Sequence, residues 1–139
     1  MAVEQTLILA KPDAVRRSLA GEILARFERR GFRLRAARFL QVDRSLAEEH
    51  YAEHEAKPFF GELVAFITNG PTLAFVVEGE GVIATARTTI GATNPADATP
   101  GSIRGDLASS MPDNLVHGSD SPESAAREVA LWFGDDDLV

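Results

Sequence analysis

The histidines are the side chains in this sequence best suited to nucleophilic or proton-transfer chemistry near neutral pH. There are three of them, His50, His54 and His117, and the sequence has no cysteine. His117 ends a short apolar run and precedes Gly118 and a segment rich in serine and aspartate, where a helix is expected to begin. There the ring could act as a nucleophile toward a phosphate, while a hydrogen-bonded structural ring is the alternative for an isolated histidine.

Residues 50–54 match the pattern H-x-x-E-H, formed by His50, Glu53 and His54. On one helix this spacing places both imidazoles on the same face, as in the inverted motif of some zinc proteases. Such proteases also need a third protein ligand and a cleft that is usually built by a much longer chain. A zinc peptidase is therefore one interpretation, and a solvated helix surface without metal is the other.

Three cations form a second candidate group in a chain whose net charge is −7. Lys11 and Arg87 lie at ends of predicted elements, and Arg104 lies in a long loop. All three could converge on one polyphosphate, although each taken singly could equally form a surface salt bridge. The sequence has neither a P-loop nor a G-x-G-x-x-G fingerprint, so side chains would have to hold any nucleotide.

The elements that would position these side chains follow from the apolar pattern. Short apolar or alternating runs predict strands over residues 6–10, 32–42, 72–77 and 115–117. Helical spacing predicts a helix over residues 20–30 ended by Gly31 in a left-handed conformation, a helical hairpin over 45–68, and a helix opened by Gly79 and Gly81. This order predicts an α+β sandwich with one sheet covered by helices on one face.

The C-terminal third holds a long loop and a well-marked helix. Residues 91–113 contain three prolines and are predicted to be a loop, whose length suggests function. Ser121 is predicted to cap the following helix, with proline at its first position, and Gly134 to stop it.

Length and composition restrict the class of protein. A chain of 139 residues and 15.0 kDa predicts one domain over residues 1–139. The net charge of −7 argues against sequence-independent nucleic-acid binding and against binding to anionic membranes. The absence of cysteine, of a signal-peptide pattern and of a bilayer-spanning apolar run predicts a cytoplasmic protein.

Residues 114–121, NLVHGSDS, closely resemble the active-site signature of nucleoside diphosphate kinases. Similar segments span nearly the whole chain, at residues 6–7, 11–13, 21–23, 26–28, 50–51, 57–60, 66–68, 70–71, 91–95, 100–106 and 123–125. The departures are mild and lie away from the chemistry, at Ser18, Ala20, Asn69 and Phe75. The resemblance implies a ferredoxin-like βαββαβ sandwich with a four-stranded antiparallel sheet.

The resemblance also implies a ping-pong phosphoryl transfer. In it His117 takes the γ-phosphate of a nucleoside triphosphate and returns it to a diphosphate. Glu128 would orient the ring through its other nitrogen, with Ser119 in support, and Lys11 would complete the catalytic set.

The nucleotide-binding residues implied by the resemblance are Lys11, Tyr51, Phe59, Arg87, Thr93, Arg104 and Asn114. The cations would offset phosphate charge, Tyr51 and Thr93 would donate from their hydroxyls, and Lys11 and Asn114 would bind the ribose 3′-hydroxyl. Stacking on Phe59 reads no base edge, so broad base and sugar tolerance is expected. Mg²⁺ is expected on the nucleotide phosphates, without a protein ligand.

Members of this family are homo-oligomers, and a hexamer is favoured here over a tetramer. The reason is that the loop over residues 91–113 is intact, and in hexameric relatives this loop packs around the threefold axis. A catalytically silent, nucleotide-sensing relative is the other function class that the resemblance leaves. Such a relative would be expected to lack the equivalent of His117, Lys11 or Arg104, all of which are present.

Overall fold

The computed structural model describes residues 2–139. Its strands are β1 (Val3–Ala10), β2 (Arg33–Gln41), β3 (Pro71–Glu80) and β4 (Val116–Gly118). Its helices are α1 (Pro12–Arg16), α2 (Ala20–Arg29), α3 (Arg44–His50), α4 (Phe60–Ile67), α5 (Val82–Ile90), α6 (Ile103–Leu107) and α7 (Pro122–Trp132). Short 3₁₀ turns lie at Ala52–His54, Pro95–Asp97 and Asp135–Asp137.

The four strands form one antiparallel sheet in the order β2-β3-β1-β4. Strands β1 and β2 run in the same direction with β3 between them, which is the split βαβ arrangement of the ferredoxin-like fold. The predicted α+β class and βαββαβ topology are therefore confirmed. In the pairing of β1 with β4, His117 lies opposite Leu9 at the edge of the sheet.

Both faces of the sheet are covered, so the expectation of one covered face was wrong. Leu7 and Leu9 of β1 pack into a cluster with α3, α4 and α7, while Ile8 and Ala10 pack into a second cluster with α2 and α5. All four side chains are fully buried, as the unbroken apolar run of a doubly covered strand requires. Helices α3 and α4, which form the helical hairpin, and the last helix α7 cover the second face of the sheet.

Two element boundaries also differ from expectation. The predicted loop over residues 91–113 contains a 3₁₀ turn and α6, whose first turn is capped by Ser102 accepting from the amide of Gly105 at 3.0 Å. Gly79 belongs to β3 rather than to α5, because strand pairing with β1 continues to Glu80. Gly31 has the predicted left-handed conformation, with φ of 93°.

No helix within residues 2–139 is long and apolar enough to cross a membrane.

Candidate active site

His117 and Glu128 form the centre of the site. His117 lies in β4 with 24% of its side chain exposed, and its Nε2 is 2.8 Å from Oε1 of Glu128 on α7. The same carboxylate oxygen accepts a hydrogen bond of 2.7 Å from Ser119, whose Oγ accepts from the amide of Leu7 at 3.3 Å. A strand edge and a helix thus hold the imidazole by one nitrogen.

The charge of Glu128 determines which ring nitrogen is available for chemistry. Burial alone raises the pKa of this carboxyl, but the hydrogen bond and electrostatic attraction of His117, with further contributions from His50 and Ser119, together lower the pKa to about 2. An ionised carboxylate can only accept, so Nε2 of His117 donates its proton to Glu128. Nδ1 of a neutral His117 then carries the lone pair.

His50 packs against the other side of this pair. Its ring meets that of His117 edge to face, with centroids 4.8 Å apart at 79°. The indole N–H of Trp132 donates to Nδ1 of His50 at 3.1 Å, and Arg127 donates to the His50 carbonyl at 3.0 Å. Burial, followed by repulsion from His117, lowers the pKa of His50 to about 3, so this ring is neutral. Sequence reasoning treated His50 as a zinc candidate and missed these contacts.

The geometry does not support the zinc-protease interpretation. His50 is the last residue of α3, whereas His54 lies in the separate 3₁₀ turn after Tyr51, so the two rings do not share a helical face. Within residues 2–139, the cluster of potential ligand atoms is instead His50, His117 and Glu128, at most 4.8 Å apart. His117 and Glu128 are already hydrogen-bonded to each other, Glu128 also accepts from Ser119, and His50 accepts from Trp132.

Two arginines hold the backbone on either side of His117. Arg104 of α6 donates to the carbonyl of Val116 at 2.6 Å, and Arg87 of α5 donates to that of Gly118 at 3.2 Å. Arg104 is only 4% exposed, and burial together with the nearby charge of Arg87 lowers its pKa to about 10. The fold therefore brings Arg87 and Arg104 together beside His117.

Lys11 and Asn114 form a further hydrogen-bonded pair of the site. Lys11 immediately precedes α1, and its Nζ donates to Oδ1 of Asn114 and lies 5.1 Å from the centre of the Phe66 ring. Asn114 in turn donates from Nδ2 to the Thr93 carbonyl at 3.0 Å. Burial lowers the pKa of Lys11 to about 8, although Asp13 raises it.

The remaining predicted residues are less closely joined to His117. Tyr51 packs edge to face on His50 with ring centroids 4.8 Å apart, and burial raises the pKa of its hydroxyl to about 12. Phe59 is 43% exposed and contacts His54 and Lys57 rather than the residues around His117. The ring of Phe59 is thus partly exposed to solvent.

A cleft of about 440 Å³ borders the cationic side of the site. Its lining includes Arg87, Gly91 and Thr93, so the space adjoins both the arginine that holds β4 and the backbone that holds Asn114. The arrangement places a histidine with one free ring nitrogen, a carboxylate hydrogen-bonded to its other nitrogen, and partly or fully buried cations beside open space. Such a site suits transfer of a phosphoryl group.

The family model described as nucleoside diphosphate kinase matches residues 4–138. The nucleoside diphosphate kinase of Rubrobacter xylanophilus is 64% identical over 132 residues, covering 95% of this chain and 99% of that protein. The corresponding enzyme of Thermus thermophilus is 55% identical over 137 residues, covering 99% and 100% of the two chains.

Solved structures agree with the sequence relatives. A nucleoside diphosphate kinase family protein from Babesia bovis superposes with a TM-score of 0.96 at 46% identity, covering 98% of this chain and 92% of that one. A halophilic nucleoside diphosphate kinase from Halobacterium salinarum, solved in complex with CDP, gives 0.95 at 47% identity, covering 99% and 92%. The chain belongs to the nucleoside diphosphate kinase family. It is a phosphotransferase that moves a phosphoryl group between nucleotides.

Proposed function

We propose that His117 Nδ1 is the atom that carries the phosphoryl group. Its lone pair attacks the γ-phosphorus of a nucleoside triphosphate, the bond to the β,γ-bridging oxygen breaks, and the diphosphate leaves. A terminal oxygen of a second diphosphate then attacks the same phosphorus, the P–N bond breaks, and the imidazole is regenerated. The hydrogen bond from Nε2 to Glu128 is the observation that carries this proposal, because it leaves Nδ1 unprotonated.

Glu128 and Ser119 would act through the ring. As the P–N bond forms, the imidazole becomes more cationic, and the adjacent carboxylate stabilises that charge more in the transition state than in the free enzyme. Ser119 joins Glu128 to the backbone of β1, so the carboxylate is held before the reaction begins.

The cations would stabilise the phosphates. Arg87 and Arg104 hold the carbonyls on either side of His117, which supports placing their guanidinium groups along the transferred phosphate. Lys11 and Asn114, which already contact each other, would bind the ribose 3′-hydroxyl. Hydroxyl donation from Tyr51 and Thr93 completes the proposed contacts with the phosphates.

Stacking of the base on Phe59 is the source of the proposed base tolerance. The ring is partly exposed, and an aromatic face accepts every base without reading its edge. No partner specific to a 2′-hydroxyl was identified in the sequence, so ribose and deoxyribose should both be accepted.

We expect Mg²⁺ to arrive bound to the nucleotide rather than to the acidic groups beside the site. Glu128 is engaged by His117 and Ser119, and Asp13 is buried beneath Leu115. Mg²⁺ would therefore be held by phosphate oxygens and water, where it offsets phosphate charge. This chain's part is to hold the phosphates through Lys11, Arg87 and Arg104.

We further propose that the 139 residues act as one cytoplasmic domain that assembles as a homo-hexamer. One sheet with a core on each face supports the single domain, and the absence of cysteine fits a reducing compartment. Light scattering tests the assembly, and a mass corresponding to a tetramer would contradict the hexamer.

The phosphoryl transfer is tested by isolating the intermediate. The protein incubated with γ-labelled nucleoside triphosphate should acquire label that is stable to base and labile to acid, and added diphosphate should remove it as labelled triphosphate. Label that is stable to acid, or that is not passed to diphosphate, would contradict the proposal.

A further inference from the structure

Asp13 is a buried carboxylate beside the site and lies outside the proposed set of catalytic and nucleotide-binding residues. It is the second residue of α1 and is 5% exposed. Its Oδ2 accepts a hydrogen bond of 2.9 Å from the backbone amide of Leu115, while Oδ1 has no hydrogen-bond partner within residues 2–139. A buried carboxylate with one free oxygen is costly unless neighbouring charges compensate it.

The residue held by Asp13 has an unusual backbone. Leu115 has φ of 73°, in the left-handed region that side chains other than glycine rarely adopt. Its amide donates to Asp13, and its carbonyl accepts from the amide of Lys11 at 2.9 Å. Both polar groups of the Leu115 backbone are thus bound by the segment that joins β1 to α1. Such a conformation persists only where surrounding contacts hold it.

The left-handed conformation of Leu115 sets the orientation of two residues of the site, Asn114 and His117. Asn114, on one side of Leu115, turns its amide oxygen toward Lys11 and its amide nitrogen toward Thr93. On the other side, Val116 begins β4, and its carbonyl accepts from Arg104 directly before His117. A change at Leu115 would therefore displace the proposed sugar contact and the nucleophile together.

Asp13 also faces buried cations. The charged groups around Lys11 are Asp13 of α1, Arg104 of α6 and Asp113 of the segment before β4, while Phe66 of α4 and Asn114 provide uncharged contacts. Burial and Arg104 lower the pKa of Lys11, whereas Asp13 and Asp113 raise it. Asp13 is the buried member of this pair of carboxylates, and Asp113 is exposed. A buried charge is screened less by solvent than an exposed one.

We propose that Asp13 is a positioning residue for phosphoryl transfer, which holds Leu115 in its left-handed conformation and supplies the fixed negative charge that Lys11 and Arg104 face. The inference rests on the proposed roles of Lys11 and His117. Asp13 is given this role through Leu115 and Lys11 rather than through substrate, because its side chain is 5% exposed and its Oδ2 is bound to the Leu115 amide.

Two substitutions separate the tether from the charge. Asp13→Asn keeps an oxygen that can accept from the Leu115 amide but removes the charge, while Asp13→Ala removes both. Asp113→Asn is the matched control, because it removes an exposed carboxylate that also faces Lys11, whereas the Leu115 amide is held by Asp13. Near-ultraviolet circular dichroism checks that each variant is folded.

The first readout is the pH dependence of ADP binding, measured by calorimetry on the intact assembly. Binding by the unaltered protein should weaken as pH rises through about 8, where Lys11 loses its proton. In Asp13→Asn this weakening should begin at lower pH, by about half a unit or more, and in Asp113→Asn by less. An unchanged profile in Asp13→Asn, or a larger shift in Asp113→Asn, would overturn the inference.

The second readout is amide hydrogen exchange at Leu115 together with the rate of His117 phosphorylation. Asp13→Ala should speed exchange and slow phosphorylation by about tenfold or more, whereas Asp13→Asn should keep the slow exchange. If Asp13→Ala does not fold, the pH profile of Asp13→Asn decides alone. Absence of phosphohistidine in the unaltered protein would refute the proposed function, whereas normal labelling in both variants with unchanged profiles would refute only the role of Asp13.

Discussion

The rings of His50 and His117 stand edge to face, with centroids 4.8 Å apart, and only the second is partly exposed. Trp132 donates to Nδ1 of His50, so the remaining ring proton of a neutral His50 is on Nε2. His50 and Glu128 therefore confine the His117 ring on its buried sides. In the proposed mechanism, His117 would therefore meet a substrate through Nδ1.

His50 should make the stability of the fold depend on pH. The pKa of the His50 ring is about 3 in the folded protein and 6.5 for the free side chain. Between these two values the ring binds a proton in the unfolded chain but not in the native state. Stability should therefore fall as pH decreases from about 6.5, by up to about 1.4 kcal/mol per unit. The window from about 5.5 to 6.5 largely avoids Glu128, because a carboxyl with an ordinary pKa of 4.5 is mostly ionised there in the unfolded chain as well.

Urea unfolding at several pH values and one protein concentration would measure this slope. His50→Gln can still accept from Trp132 but cannot titrate, so its slope in that window should be shallower. His54→Gln, in the partly exposed turn, serves as the control and should keep the original slope. Equal slopes for the original protein and His50→Gln would contradict the assignment.

His117→Ala should abolish phosphoryl transfer while leaving the fold intact. The ring is partly exposed, whereas Leu115 and Val116 beside it are fully buried and supply the packing of this segment. Steady-state transfer between ATP and a diphosphate measures the loss, with thermal unfolding as the check on folding. Residual activity of about one hundredth of the original would be incompatible with His117 as the nucleophile.

Glu128→Gln should slow phosphorylation of His117 by about one to two orders of magnitude. The amide can still hydrogen-bond the ring, but it no longer enforces the tautomer or stabilises the developing positive charge. Affinity for a diphosphate should change by less than about threefold, because the effect belongs to the transition state. Stopped-flow phosphorylation and equilibrium binding separate the two quantities. Unchanged phosphorylation with weakened binding would instead assign Glu128 to nucleotide binding.

Removal of the ribose 3′-hydroxyl should reduce kcat/KM strongly, whereas exchange of the base should change it little. The expectation rests on the contact between Lys11 and Asn114 and on the partly exposed ring of Phe59. Competing dideoxy and deoxy triphosphates with the same base, then several bases on the same sugar, gives both comparisons. Equal kcat/KM for the 3′-deoxy analogue, or a strict preference for one base, would contradict the assigned contacts.

Local sequence signals determined the individual elements and many of their ends. The apolar run of β1 requires a buried strand, and Gly31 ends α2 because glycine accepts a left-handed conformation at no steric cost. Ser121 caps α7 as predicted, since its hydroxyl accepts from the amide of Ser124 at 3.1 Å. These features depend on residues close together in the chain, so a sequence pattern suffices to predict them. The resemblance of the segment around His117 to a known active-site signature predicted the family and, through it, the fold.

Only the tertiary structure decided which distant side chains meet. The pairing of β1 with β4 puts Leu9 opposite His117, and the packing of α7 across the sheet brings Glu128 to the ring. The stacking of His50, the hold of Asp13 on Leu115 and the second covered face of the sheet have no counterpart in periodicity. Each arises from contacts between segments far apart in sequence, whose geometry is set by how the sheet and helices pack together rather than by the local pattern of either segment.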